Sequence, residues 1–348
     1  MLAKKYVKVL VIVTTIFLII LNPQLLQQSV KNGMIICYNS VIPSLYIFMV
    51  ISDYRSQPEI MTIISFPFRW YGKLMKIEDR YYSGSLMVSL LGGFAVGASY
   101  LKKLKERKYP AETLNVLSIS MINNSFAFCV FAIGQSYLGS IWPGLLIFIS
   151  LIISSLITSF LFSFFYQYNI VSVTQNTKEK QSSFINSVKK SVENILAICG
   201  FVILFNFICE AISLYTKHKI VLMSILVAFT EVTCSIVNLI NIYGKNLYLI
   251  CFLLSIYPIC TLCQVYYFTD SVSVLKTLML SRLIHTPVSL LILSILIHVF
   301  PQAAIVNSAI LPVYSLISDS MELSSVIFII TLLFLVIFDK NKMFTKTK

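Results

Sequence analysis

The chain has 348 residues, of which 57% are apolar and only 12% charged, with a mean hydropathy of +0.85. A soluble domain carries about 25% charged residues, so this composition excludes a water-soluble globular fold. The net charge of +13 sits in short clusters beside apolar runs (Lys4, Lys5 and Lys8; Lys102, Lys103, Lys105, Arg107 and Lys108; Lys178, Lys180, Lys189 and Lys190; Lys340, Lys342, Lys346 and Lys348). That is the positive-inside pattern of a membrane protein rather than a nucleic-acid surface.

In chain order, the first apolar segment covers about 6–22 and ends at Pro23. No small-residue cleavage site follows it, which predicts a retained helix rather than a signal peptide. A second segment, about 33–52, carries Pro43 and ends at Asp53. Residues 54–82 mix basic and aromatic side chains, which fits either an amphipathic segment in the membrane interface or an ordinary cytoplasmic loop.

Residues 83–101 are apolar but contain Ser83, Gly84, Ser85, Ser89, Gly92, Gly93, Gly97 and Ser99, with basic residues on both flanks. Two positive flanks conflict with a single crossing, so a re-entrant hairpin or broken helix is predicted, with the glycines permitting the turn. Helices are expected at about 112–133 and 143–166, joined by a loop that holds Trp142-Pro143. The polar stretch 171–190 reads as a cytoplasmic linker between two membrane halves, 31–170 and 191–340. The N-terminal helix (1–30) precedes them and a basic tail (341–348) follows.

The second half shows apolar segments at about 193–214, 219–240, 246–268, 277–299, 303–317 and 323–338. The stretch 246–268 contains Pro258, Thr261 and Gln264 and looks interrupted, like its glycine-rich counterpart. Paired interrupted segments in two halves point to a transporter's midplane site. The expected fold is therefore an all-α, polytopic membrane bundle of about eight to ten apolar segments, in two related halves with broken or re-entrant helices.

Polar residues at membrane depth are costly and invite a functional reading. Asn123-Asn124-Ser125 lies within an otherwise apolar segment, either to contact substrate or to hold neighbouring helices together. Glu231 is a candidate for proton or sodium coupling, with a structural hydrogen bond as the alternative. Arg282 and His285 share a helical face, and Arg282 is either a counter-charge for an anion or a snorkelling side chain. Cys260 and Cys263 form a C-x-x-C with no second pair or nearby histidine, so buried thiols are expected, and no metal or cofactor. Ser99 and His285 imitate a serine–histidine dyad only weakly, and no enzyme motif stands out.

Leu91-Gly92-Gly93-Phe94-Ala95-Val96-Gly97-Ala98, then Asn123-Asn124-Ser125, Glu231-Val232-Thr233, Gln264-Val265 and Ser281-Arg282-Leu283-Ile284-His285 resemble the YlbJ/SpoVV sporulation integral membrane protein family of the nucleoside-recognition Gate superfamily. The resemblance covers roughly 35–300. Phe94-Ala95 replaces a Tyr-Pro, and Ala127 stands where a proline is expected. It implies two Gate-like halves and transport of a small anionic or nucleoside-like metabolite, dipicolinate among them. It also implies a bacterial cell membrane or outer forespore membrane location. The site it implies comprises Gly92, Gly93, Gly97, Ala98, Asn123, Asn124, Ser125, Gln264, Arg282 and His285, with Glu231 as the ion-coupling residue. Lipid, a small-molecule substrate and a second copy or membrane partner are the expected partners, and nucleic acid is not. The rival reading is a non-transporting membrane scaffold, for which the same polar residues only hold helices together.

Overall fold

The computed structural model describes residues 22–54, 58–77, 79–165, 183–215 and 220–305. The expected first helix, most of the linker and the two last apolar segments lie outside the described residues. Within them the chain is helix and short turns, with no strand. It is an all-α polytopic membrane bundle.

Helix α1 (Pro23–Tyr54) runs the length of the bundle. Pro43 has no N–H to offer the preceding turn, and the helix widens to a π-helical turn over Cys37–Val41. Two short helices follow, α2 (Pro58–Ile64) and α3 (Arg69–Leu74). They bury Met61 and Tyr71 and, with the 3-10 turn Phe66–Phe68 between them, leave Ile63, Phe66, Trp70 and Leu74 exposed. An outward apolar row on short helices is what an interfacial segment presents to lipid, and this favours the amphipathic reading of 54–82 over the loop.

Helix α4 (Arg80–Glu106) is broken at Gly93, whose φ of 80° and ψ of −169° are non-helical. Tyr81 and Tyr100 are 19 residues apart, about 28 Å along a straight helix. Their ring centroids nevertheless lie 6.4 Å apart, and Arg107 stacks on Tyr81 at 4.2 Å and pairs with Asp79 at 3.8 Å. The chain therefore reverses at Gly93, and α4 is a helical hairpin with both ends on one face.

The next crossing is split into α5 (Ala111–Met121) and a π-helical α6 (Phe128–Leu138), with Ile122–Ser125 non-helical between them. Helix α7 (Ile141–Phe165) returns beside it: Ser159 Oγ donates to Val116 O (2.9 Å) and Asn123 Nδ2 to Ser155 Oγ (3.1 Å). Helix α8 (Phe184–Tyr215) lies antiparallel to α1, tied by Lys190 to Asp53 (2.7 Å) at one end and Asn32 to Glu210 (2.7 Å) towards the other.

Two short helices then follow, α9 (Ile220–Ala228) and α10 (Val232–Tyr243). Ser235 Oγ donates to Val227 O at 2.6 Å, although eight residues of straight helix would separate these levels by about 12 Å. The extended Glu231 (φ −147°, ψ 135°) turns the chain back between them, so this pair is a second hairpin. The expected continuous segment at 219–240 is thereby corrected.

A second split crossing comes next, α11 (Leu247–Ser255) and α12 (Ile259–Thr269), parted at Ile256–Pro258. Helix α13 (Val272–Val299) returns antiparallel, with Ser255 Oγ bonding Thr286 Oγ1 (3.1 Å).

The order hairpin, split helix, long helix thus occurs twice. Lys103 and Lys190 both reach Asp53, which puts the ends of the first hairpin on the basic face. The second hairpin begins beyond α8's far end, on the opposite face. Six helices of the described residues are long and apolar enough to span a bilayer. One of these is the first hairpin, which folds back, whereas the split α5–α6 path does cross.

Trp70, in α3, and Trp142, in the turn opening α7, are the only tryptophans and are both exposed. In vesicles, both should be quenched more strongly by lipids labelled near the headgroup than near the chain end. Trp70→Phe should remove about half of that quenching.

Candidate functional site

Four non-helical segments meet in the middle of the bundle. Around the first hairpin tip, a Cβ on Gly93 would stand 2.8 Å from Ser125 Cβ, and one on Gly97 only 2.0 Å from Met121 O. The hairpin therefore presses its backbone directly onto the α5–α6 break. The second hairpin tip pairs with the other break, through Ile259 N to Phe229 O (2.9 Å) and Cys260 N to Thr230 O (3.1 Å). The breaks also join each other: Asn124 Nδ2 donates to Leu254 O (2.8 Å) and the Tyr257 hydroxyl to Ile122 O. Backbone groups freed by leaving helical geometry, among them Ile122 O, Phe229 O, Thr230 O and Leu254 O, are thus met by distant elements, as membrane depth requires.

A cavity of about 40 Å³ lies among these segments. Asn124, Ser125, Glu231 and Gln264 line it, joined by Ser44, Thr233 and Thr261, with Phe94 and Phe128 as apolar wall. Glu231 is 3% exposed, and its Oε2 accepts from Cys234 N at 2.7 Å, capping α10. Gln264 is likewise 3% exposed and donates Nε2 to Cys260 Sγ at 3.1 Å. The rest of the wall is apolar, with Val41, Leu45, Ile198, Val202 and Val232 beside these polar groups.

The other sequence-predicted residues stand behind this wall. Gly92, Gly93, Gly97 and Ala98 do not line the cavity. Gly93 and Gly97 serve close approach, and Ala98 is fully buried. Asn123 does not line it either, since its Nδ2 bonds Ser120 O and Ser155 Oγ. Asn123, Asn124 and Ser125 are not in mid-helix, as expected from sequence, but in the break itself, where backbone partners rather than periodicity decide.

Arg282 is 8% exposed, its guanidinium 4.0 Å above the Tyr257 ring and bonded to Ser255 O through Nη1 (3.3 Å). The snorkelling alternative is overturned, because the charge is buried in the bundle and donates to Ser255 O, the last carbonyl of α11. His285 Nε2 lies 3.3 Å from Leu151 O. No hydrogen bond joins it to Ser99 among the described residues. All eight cysteines are free thiols. No group of three His, Cys, Asp or Glu side chains converges on a metal geometry among the described residues.

Sequence reasoning missed Ser44, which enters beside the π-helical turn. It also missed a polar cluster between α1 and α8. There Glu210 accepts from Ser29 Oγ (2.6 Å), Asn32 Nδ2 (2.7 Å) and Asn206 Nδ2 (3.2 Å). The signal was present as polar residues spaced three and four apart on apolar helices (29 and 32, 206 and 210). With three donors on one carboxylate, this cluster clamps the two helices together.

No family model, curated protein or solved structure matches the chain.

Tyr257→Phe removes the hydroxyl that ties one break to the other and leaves Ile122 O without that donor. Thermal unfolding in detergent should show a loss of about 1–3 kcal/mol, with the fold retained.

Proposed function

We propose that this protein carries a small polar metabolite across the membrane, through the junction of its two hairpins and two split helices. The observation that carries this reading is the approach of the hairpins from opposite faces to a shared cavity at the helix breaks, where Asn124, Glu231 and Gln264 interrupt an apolar wall. Irregular backbone at membrane depth is stable only when protein or a water-filled space covers it, and transporters place their sites there. A scaffold has no use for a carboxylate, amides and hydroxyls left facing a cavity. The positive-inside rule puts the face bearing Lys102–Lys108 and Lys189–Lys190 in the cytoplasm.

The anionic or nucleoside-like substrate class, with dipicolinate as first candidate, follows from the resemblance to the sporulation membrane family. Binding sites for such solutes occupy about 300–1,000 Å³, against the 40 Å³ present. A hairpin must therefore withdraw from its split helix to admit one, and alternate withdrawal of the two hairpins would expose the site to each face in turn. The test is uptake of labelled dipicolinate, with uridine as competitor, into vesicles holding the purified protein. Asn124→Ala leaves Leu254 O unpaired and should cut uptake by about tenfold. No uptake of either solute by well-inserted wild-type protein would refute this substrate class.

A further inference from the structure

We infer that this cavity is a binding site for a monovalent cation, sodium before potassium, with Glu231 as its one charged ligand. The inference deepens the transport reading by naming the coupling ion, although binding itself can be measured without transport.

The groups that the wall offers decide which ion fits. The Nδ2 of Asn124 donates to Leu254 O, and its Oδ1 is free to accept. The Nε2 of Gln264 is spent on Cys260 Sγ. No hydrogen bond reaches its Oε1 among the described residues, although the side chain is 3% exposed and lines the cavity. To these neutral oxygens are added the hydroxyls of Ser125 and Thr233, which are both about as buried, and the Glu231 carboxylate.

The half-helix N-termini that might attract an anion are already occupied. Cys234 N is held by Glu231, Phe128 N by Ser125 Oγ (3.1 Å), and Ile259 N and Cys260 N by the carbonyls of Phe229 and Thr230. Arg282 stands outside the cavity, over Tyr257. The wall is largely apolar, and its polar part offers oxygen acceptors and one negative charge, with no basic side chain lining it among the described residues.

Hard cations take such oxygen ligands, and calcium or magnesium sites usually gather more carboxylate charge than one. Charge balance therefore selects a monovalent ion, and a volume of about 40 Å³ admits a small one with no more than a few waters. The ligands come from both hairpin junctions, Asn124 and Ser125 from the first break and Glu231 and Thr233 from the second hairpin. A bound ion consequently holds the junctions together, which is the coupling a carrier needs.

The experiment uses the purified full chain in detergent. Retained radioactive sodium is measured, along with the thermal midpoint, as sodium chloride replaces N-methylglucamine chloride at constant ionic strength. Wild type should show saturable binding and a rising midpoint, with potassium weaker. Glu231→Gln keeps an acceptor for Cys234 N, so the fold should survive while sodium binding is lost. Thr233→Val should weaken it by about tenfold. A midpoint indifferent to sodium with no ion retained, binding unchanged in Glu231→Gln, or a response to pH alone, would each overturn the site. Sodium binding without uptake of any solute would instead leave the site standing and remove the carrier reading. Sodium-independent uptake with no ion bound would do the reverse.

Discussion

Gly97→Val should abolish recovery of folded, monodisperse protein, whereas Gly200→Ala should be tolerated or mildly stabilising. Any Cβ at position 97 would lie 2.0 Å from Met121 O and 2.8 Å from its carbonyl carbon. Both are backbone atoms at the end of α5, so no side chain can swing aside to make room. The second leg of the first hairpin would have to leave α5, taking the tip from Ser125 and opening the buried break. Overpacking of a dense core costs about 1–3 kcal/mol, and loss of the break's partners adds to it. Gly200 lies within α8, and a Cβ there would meet nothing within 4 Å. Alanine at that position gains about 0.5–1 kcal/mol of helix preference. Size-exclusion profiles of the two variants, expressed side by side, check the contrast. Folded Gly97→Val would mean that the hairpin does not press on α5.

Arg282→Met should destabilise the protein by about 1–3 kcal/mol, the scale expected when buried carbonyls lose a hydrogen-bond donor. The guanidinium reaches Ser255 O, stacks on Tyr257 at 4.0 Å and stands at the C-terminal end of α11. There, carbonyls have no helical donors and the dipole favours a cation. Methionine fills the volume but takes the guanidinium donor away from Ser255 O in an apolar setting. Arg282→Lys keeps the charge without the planar fork, and should recover only part of the loss. Unfolding in detergent, followed by a thiol-reactive dye on the buried cysteines, separates the three proteins. Wild-type stability in Arg282→Met would show that the break needs no cationic cap.

These effects concentrate where helix geometry fails, and the sequence announced only some of those places. The glycines of 83–101 between two basic flanks signalled the first reversal, because a turn at membrane depth needs a residue free to adopt positive φ, and Gly93 does so at 80°. Pro258 signalled the second split in the same way, since a missing N–H interrupts a helix locally. At 122–125 and 229–231 there is neither glycine nor proline, and both stretches read as continuous helix.

The membrane solvent, the helical class and the first hairpin were therefore set by composition, charge placement and local backbone chemistry. The breaks at Asn124 and Glu231 were decided only by the tertiary structure. Their backbone groups leave the helix because partners far along the chain stand ready for them, as the Tyr257 hydroxyl does for Ile122 O and Ile259 N for Phe229 O. The same distant packing chose which polar residues face the cavity. It turned Asn124 and Gln264 towards it and drew Asn123 and Arg282 behind it. A hydrogen-bond partner more than a hundred residues away leaves no trace in local periodicity, and only the folded bundle brings the two together.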